Sequence, residues 1–399
     1  MKHLIFPRIM LLILLITVIS CNKSYEDENL YQPLTASNPA ITAAFGDKLR
    51  LNSLNNYASQ TIPAYITKDN SASNPITDKG ATLGRVLFYD KKLSSNNTIS
   101  CSSCHKQEDA FGDSSIASAG VNAATTKHSM RLINVRFSIE SKFFWDERAA
   151  NLEIQTTMPI KDHGEMGFSG ANGDLSFGGL ILKLSQVAYY KELFKYVYGS
   201  EEITENKIQL ALSQFIRSIQ SFDSKYDAGR SLVANNNNPF PNFTAQENQG
   251  KNLFNQPPVF GANGNRTGGG VGCNGCHRAP EFDIDPNSRN NGITGTITGI
   301  GIDIINTRAP SLRDLVKING TTNGPMMHTG ALSSLQASLE HYGTINIAAG
   351  NNNLDPRLRP NGVGQKLNLT VPEIDSLIAF LRTLSGTNVY VDSKWSSPF

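Results

Sequence analysis

Two short motifs hold four of the five cysteines: Cys101-Ser102-Ser103-Cys104-His105 and Cys273-Asn274-Gly275-Cys276-His277. Each reads Cys-x-x-Cys-His, the attachment pattern of c-type haem. Two thiols three positions apart on one turn can reach the two vinyl groups of a single porphyrin. The histidine after the second thiol then projects under the ring and ligates iron from one side. Zinc is a competing reading, because two Cys-x-x-Cys pairs could supply one four-ligand set. A redox dithiol is another, but it would want a βαβ setting that this sequence does not offer. The histidine adjacent to both pairs favours two covalently bound haem c groups. Cys101, Cys104, Cys273 and Cys276 are then the attachment points, and His105 and His277 the iron ligands. No cysteine remains for a disulfide.

The fifth cysteine sits in a different context. Residues 1–20 read as a signal peptide: Lys2 and Arg8 give a basic start, and an apolar stretch runs from Ile9 to Ile19, interrupted only by Thr17. Val18-Ile19-Ser20-Cys21 resembles a lipoprotein lipobox, with an ordinary secretory leader as the bland alternative. Cys21 would carry acyl chains, tethering a soluble body to the membrane by lipid alone. The expected location is the cell envelope, as a periplasm-facing lipoprotein. No other segment reaches eighteen apolar residues, so no transmembrane helix is expected.

The 399 residues suggest two or three domains. Hydrophobic residues are 39% and charged residues 18%, enough for a packed core and unlike a disordered tail. Without Lys2 and Arg8 the two signs of charge balance, and no basic block survives, which argues against nucleic acid as partner. A tether is expected over 21–60, a first haem domain over 61–235 and a second over 236–399, with the C-terminal tail returning to the first. Apolar residues at Ile208, Ala211, Leu212, Phe215, Ile216, Ile219 and Phe222 form a helical stripe within Ile203–Phe222. Gly179–Tyr198 also looks helical. Asn235–Asn238 reads as a linker, Thr244-Ala245-Gln246-Glu247 as a capping box, Gly261–Gly272 as a loop, and Thr370 as the opening of a last helix. The expected fold class is mainly α, two tandem cytochrome c-like domains, each with one covalent haem c.

Several separated segments then make the chain resemble the bacterial dihaem cytochrome c peroxidase family, with its MauG-type branch, over roughly residues 75–385. They are Leu83-Gly84-Arg85-Val86-Leu87-Phe88-Tyr89-Asp90 before the first haem motif, and Phe143-Phe144-Trp145-Asp146-Glu147-Arg148-Ala149 with Leu152-Glu153-Ile154-Gln155 after it. Pro159 through Glu165-Met166-Gly167, Arg308-Ala309-Pro310-Ser311-Leu312-Arg313 and Pro325-Met326-Met327-His328-Thr329-Gly330 follow in order. The resemblance implies that the first haem reacts with hydrogen peroxide and the second passes electrons. It puts the distal acid on Glu165, a neighbouring amide on Gln155 and an inter-haem tryptophan on Trp145. One carboxyl group over the open face of iron could act as general base, then general acid.

Two departures refine this picture. Many family members carry a distal histidine after the first haem motif, and Lys106–Lys127 contain none. The first haem is therefore expected to be five-coordinate, or water-bound, in its resting ferric state. His128 stands where the family has an asparagine that contributes to an interdomain calcium site, leaving carbonyls near Asn323 and Pro325 for a calcium ion. At the second haem, the position of the family's methionine ligand, fourteen residues past His328, holds Tyr342. MauG-type members use a tyrosine there, and a phenolate oxygen favours ferric iron. His341, or no ligand, is the alternative; Met326 and Met327 read as packing residues, and His328 as a hydrogen-bonding support. The expected function is a periplasmic dihaem peroxidase that reduces hydrogen peroxide with electrons from a small cytochrome or copper protein. A MauG-type oxidase of a protein substrate and a non-enzymatic electron carrier or sensor are the alternatives. Homodimer or monomer is left open.

Overall fold

The structure, a computed structural model, describes Met1 and residues 38–399 except Ser141 and Asp285. Residues 2–37, which hold nearly all of the expected signal peptide, Cys21 and the first part of the expected tether, lie outside the described residues. Residues Pro39–Phe399 form one unit. Among the described residues there are twelve α-helices, none longer than fourteen residues, joined by long irregular segments. They are α1 (Pro39–Phe45), α2 (Asp78–Tyr89), α3 (Cys101–Cys104), α4 (Leu152–Thr157), α5 (Phe177–Ser185), α6 (Ala188–Tyr198), α7 (Glu205–Ser218), α8 (Lys225–Arg230), α9 (Ala245–Asn255), α10 (Leu335–Gly343), α11 (Val371–Arg382) and α12 (Asn388–Val391). Among the described residues four short strands form two hairpins: β1 (Pro258–Phe260) with β2 (Arg266–Gly269), and β3 (His277–Arg278) with β4 (Asp283–Ile284). No helix among the described residues is long and apolar enough to cross a membrane.

Two helix pairs organise two hydrophobic cores. The α2–α7 pair buries Leu83, Val86, Leu87 and Phe88 against Ile208, Leu212, Phe215 and Ile216. The α9–α11 pair buries Phe254 against Leu377, Phe380 and Leu381. Each pair closes on a glycine. A methyl group at Gly84 would sit 2.0 Å from the Ala211 carbonyl oxygen, and one at Gly250 1.8 Å from that of Ser376. Only a residue without Cβ permits that approach. The helix starts follow local chemistry. Thr77 and Thr204 cap α2 and α7, and Thr244/Glu247 and Thr370/Glu373 form capping boxes on α9 and α11.

Several expected boundaries differ. Residues 39–60 do not act as a tether: Ile41, Phe45 and Leu49 join the first core, and the Ala40 and Ile41 amides donate to the Glu192 carboxylate. The Asn235–Asn238 run is not a linker either. Lys251 donates to the carbonyls of Asn236 and Asn238, and Tyr226 bonds Asn236. The change of core falls instead between Ile219 and Tyr226, because Tyr226 packs with Phe240, Phe282 and Phe380. The long helix expected over 179–198 divides where Val187 takes an extended backbone, and the stripe at 203–222 is helical only over 205–218. The Gly-rich loop contains part of the β1–β2 hairpin. The tail does reach the first core: Trp395 is buried there, and Tyr89 and Arg85 donate to the carbonyls of Trp395 and Ser396.

A buried ion pair fastens the junction. Arg313 donates through both terminal nitrogens to Asp227, at 2.9 Å each, and to the Pro280 carbonyl at 2.9 Å. Tyr65 donates to the same carboxylate, and the rings of Phe222, Tyr226 and Phe282 surround the guanidinium. Arg313→Ala would leave the Asp227 charge buried and unpaired, so denaturant unfolding is expected to show a loss of about 3–5 kcal/mol.

Candidate active site

Each Cys-x-x-Cys-His motif opens onto its own cavity. Cys101, Cys104, His105, Trp145, Gln155 and Glu165 line one of about 340 Å³. Cys273, Cys276, His277, Met327, His328 and Tyr342 line another of about 590 Å³. Both volumes fall in the range of roughly 300–1,000 Å³ typical of small-molecule sites. The thiols face different cavities, and no described group of three or more His, Cys, Asp or Glu side chains gathers as a metal cluster. The four thiols therefore do not close around one zinc ion. The four cysteines are free of disulfides.

The chemistry of each motif fits a haem. The Ser100 capping box starts α3 and puts Cys101 and Cys104 one turn apart. His105 Nδ1 donates to the Phe111 carbonyl at 3.1 Å, which leaves the lone pair on Nε2 for a metal. Burial pushes the thiols of Cys101 and Cys273 up to about 12, holding both protonated rather than as thiolates. Burial also depresses the two imidazoles, His277 to about 4, so both stay neutral and able to ligate.

The catalytic candidates converge on the first cavity. Gln155 comes from α4, whose start is capped by Asn151 and whose Glu153 pairs with Arg217 on α7. Glu165 stands in a tight turn. Its amide donates to Asp162 Oδ1 at 3.0 Å, and its carbonyl accepts from Val121 at 2.9 Å. Among the described residues no hydrogen bond engages the Glu165 carboxyl or the Gln155 amide group. Burial, then the Asp162 charge, raises the carboxyl from 4.5 to about 7, against an opposing pull from Arg148. That value suits a group that must both accept and give a proton near neutrality.

Trp145 is buried in the wall between the cavities and lines both. Its indole donates to the His128 carbonyl at 2.7 Å, and its own carbonyl accepts from the amides of Thr307 and Arg308. A bridge between Phe143 and Ala149 closes the loop that carries it. His128, Arg131, Arg308 and Pro310 also stand in the wall, each lining both cavities. Sequence reasoning missed these four as site residues, although Arg308 and Pro310 fell within a quoted motif. His128 is held through its amide, ring and carbonyl: the amide donates to the His328 carbonyl, the ring Nδ1 is shared between the Ser115 and Ile116 carbonyls, and the carbonyl accepts the indole.

In the second cavity the Asn291 amide donates both to Tyr342 Oη at 3.3 Å and to Met327 Sδ at 3.2 Å. Met327, read from sequence as packing, thus shares a hydrogen-bond partner with Tyr342. His341 instead donates through Nε2 to the Asn291 carbonyl and does not line the cavity. His328 donates to the Gly295 carbonyl at 3.1 Å, and its ring meets that of Trp145 in a T-shaped contact with centroids 6.2 Å apart. Around the expected calcium position, the Asn323 amide donates to the Asp314 carbonyl and to Tyr390.

Comparison with known proteins gives the class. Residues 78–232 match the family model described as di-haem cytochrome c peroxidase. MauG of Methylophilus methylotrophus, a methylamine utilization protein, is 26% identical over 79% of this chain and 84% of its own length. The cytochrome c551 peroxidase of Nitrosomonas europaea is 26% identical over 77% and 80%. Among solved structures, a MauG-like protein associated with microbial copper homeostasis superposes with a TM-score of 0.64 and 28% identity, covering 85% of this chain and 99% of that one. A variant of the diheme peroxidase BthA from Burkholderia thailandensis shares the fold, with a TM-score of 0.63, 19% identity, and 84% and 90% coverage. The family model and these relatives support a likeness to the dihaem cytochrome c peroxidase and MauG family, and with it an oxidoreductase of the peroxidase type.

The Glu165 titration has a consequence for stability. The native state keeps this proton up to about pH 7, whereas the unfolded chain releases it near 4.5. Glu165 therefore makes stability fall as pH rises through that window, and the penalty persists above it. Glu165→Gln is expected to be as stable as the unmutated chain at pH 4 and more stable at pH 8, as read by urea unfolding.

Proposed function

We propose that this chain is a periplasmic dihaem peroxidase that reduces hydrogen peroxide to water in the first cavity, each haem held by its own Cys-x-x-Cys-His motif in one of two tandem cytochrome c-like halves. The observation that carries the reading is the unengaged Glu165 carboxyl, raised to about 7, in the cavity that holds Cys101, Cys104 and His105. Bound there, a haem supplies a ferric ion that coordinates peroxide and takes up its oxidising equivalents.

The chain's own residues then have separable tasks. Glu165 removes the proton from the near peroxide oxygen and returns one to the far oxygen, which leaves as water. Gln155 offers an amide that orients the peroxide without competing for its proton. Burial of the carboxyl keeps bulk water from setting its proton affinity. Trp145, fixed at both ends of its residue, stands where an electron would pass between the two centres. On the other side, Tyr342 would be the sixth ligand of the second iron, with Asn291 steering its hydroxyl. A small cytochrome or copper protein would deliver electrons at that half. A calcium ion would rest on the carbonyls near Asn323 and Pro325, since His128 spends its groups on protein partners.

The basic, apolar leader and Cys21 support an envelope lipoprotein with its body facing the periplasm. A second reading, oxidation of a protein substrate as in MauG-type enzymes, is favoured by Tyr342 in the second cavity.

Two measurements test the reading. Glu165→Gln should lower the rate of peroxide consumption by about 10²–10⁴-fold while the haem absorbance stays unchanged; an unaltered rate would refute the assignment. Electron paramagnetic resonance of the resting protein should show one high-spin and one low-spin ferric haem, and Tyr342→Phe should abolish the low-spin signal. Two low-spin haems in the unmutated chain would indicate an electron carrier.

A further inference from the structure

Behind the Cys101 turn lies a polar group that the peroxide chemistry above does not use. Tyr189 and Tyr190 are adjacent on α6, both buried, with ring centroids 4.8 Å apart. Both hydroxyls donate to one and the same oxygen, Asp90 Oδ2, at 2.5 and 2.8 Å. The other oxygen, Oδ1, accepts from the Lys92 amide, which fixes the carboxylate. Tyr190 is fully buried in the core against which Cys101 packs. Tyr189 is the outer member. It touches the rings of Phe45 and Phe399 and lies under the Lys92 ammonium. Asp90 forms part of the lining of a surface cleft of about 540 Å³, shared with Tyr89, Ser102, Lys106 and Phe399. Ser102 lies between the two haem-bearing thiols, so the cleft and the first cavity flank the same turn.

A tyrosine gives up an electron readily only when its proton has somewhere to go. Burial raises both hydroxyls far above their ordinary value, and the Asp90 charge pushes the same way. Loss of the proton alone is therefore closed to them. Loss of proton and electron together is open, because the acceptor oxygen is already hydrogen-bonded.

Resting on the peroxidase reading above, we infer that Tyr190, Asp90 and Tyr189 form a redox relay that carries oxidising equivalents from the first haem site out to the surface cleft. The Tyr190 O–H bond breaks, its electron fills the oxidised haem centre that peroxide reduction leaves, and its proton passes to Asp90 Oδ2. Tyr189 then gives an electron to Tyr190. Asp90 returns its proton to Tyr190 and takes that of Tyr189 on the same oxygen. The radical has moved outward by one residue, and the carboxyl holds one proton before and after. A dissolved phenol bound in the cleft beside Asp90 ends the sequence: it gives one electron to Tyr189, loses its own proton to water and leaves as a phenoxyl radical, while Tyr189 recovers its proton from Asp90. Such a path discharges the site when no protein donor is docked.

The test uses the haem-loaded full chain with donor withheld and one equivalent of hydrogen peroxide added. Freeze-quenched electron paramagnetic resonance should show a tyrosyl radical, narrowed when the protein is made with ring-deuterated tyrosine. Tyr190→Phe should reduce that signal at least tenfold, while Tyr226→Phe, in the other core, should leave it unchanged. Peroxide consumption with an added protein donor should be the same in all three proteins. Spin-trap adducts mapped by mass spectrometry in the unmutated chain should fall on Tyr189 or Tyr190, an answer that needs no variant to fold. If peroxide is consumed but no tyrosyl signal forms, or the signal survives Tyr190→Phe and the adducts lie elsewhere, the relay is wrong and the peroxidase reading stands. If no peroxide is consumed, both fall.

Discussion

The hydrogen bond from the Trp145 indole to the His128 carbonyl holds together the part of the structure on which everything else depends. Two cavities of several hundred cubic ångströms each share one wall. A wall between two cavities cannot be stabilised by packing on both faces in the usual way. It is held instead by directional bonds: the His128 amide to His328, the Thr307 and Arg308 amides to Trp145, and Arg131 to the Ser311 carbonyl. Each of these links a residue of the first half to one of the second. The wall is thus also the seam, and loss of its geometry would alter both sites together.

Proton affinity is arranged by burial more than by charge. The first cavity raises Glu165, keeps the Cys101 thiol protonated and keeps His105 neutral, and in each case desolvation is the largest cause. One environment thus prepares three kinds of group for three tasks: a proton carrier, a covalent anchor and a metal ligand. The neighbouring Asp162 adds a specific refinement, since it caps the Glu165 amide and repels its carboxylate at once. Asp90 illustrates a different use of a buried carboxylate, accepting from two hydroxyls on one oxygen and a main-chain amide on the other.

The departures from the family pattern fall in places where the protein has supplied its own partners. His128 stands where the family pattern has an asparagine, and its ring is held by loop carbonyls. At the second site, Asn291 gathers Tyr342 and Met327 to one amide, although the three lie far apart in the chain. Met327 looked like packing because nothing in its local sequence distinguishes it from Met326.

The sequence by itself determined the two Cys-x-x-Cys-His motifs, the helix starts with their caps, and the family resemblance, because each depends on short spacings or on residue types in a fixed order. It also singled out Glu165, Gln155 and Trp145, though only through motif resemblance. Tertiary structure alone decided that these three share a cavity with Cys101, Cys104 and His105, and that His128 and Arg131 stand in the wall. It also decided that the core changes near residues 219–226 rather than at the asparagine run, and that residues 39–60 pack instead of tethering. The physical reason is the same throughout. Local spacing sets backbone conformation within a few residues, whereas burial, and with it proton affinity and the choice of hydrogen-bond partner, comes from distant chain segments, as the bonds from Tyr89 to Trp395, 306 residues apart, and from Arg313 to the Ser221 carbonyl, 92 residues apart, attest.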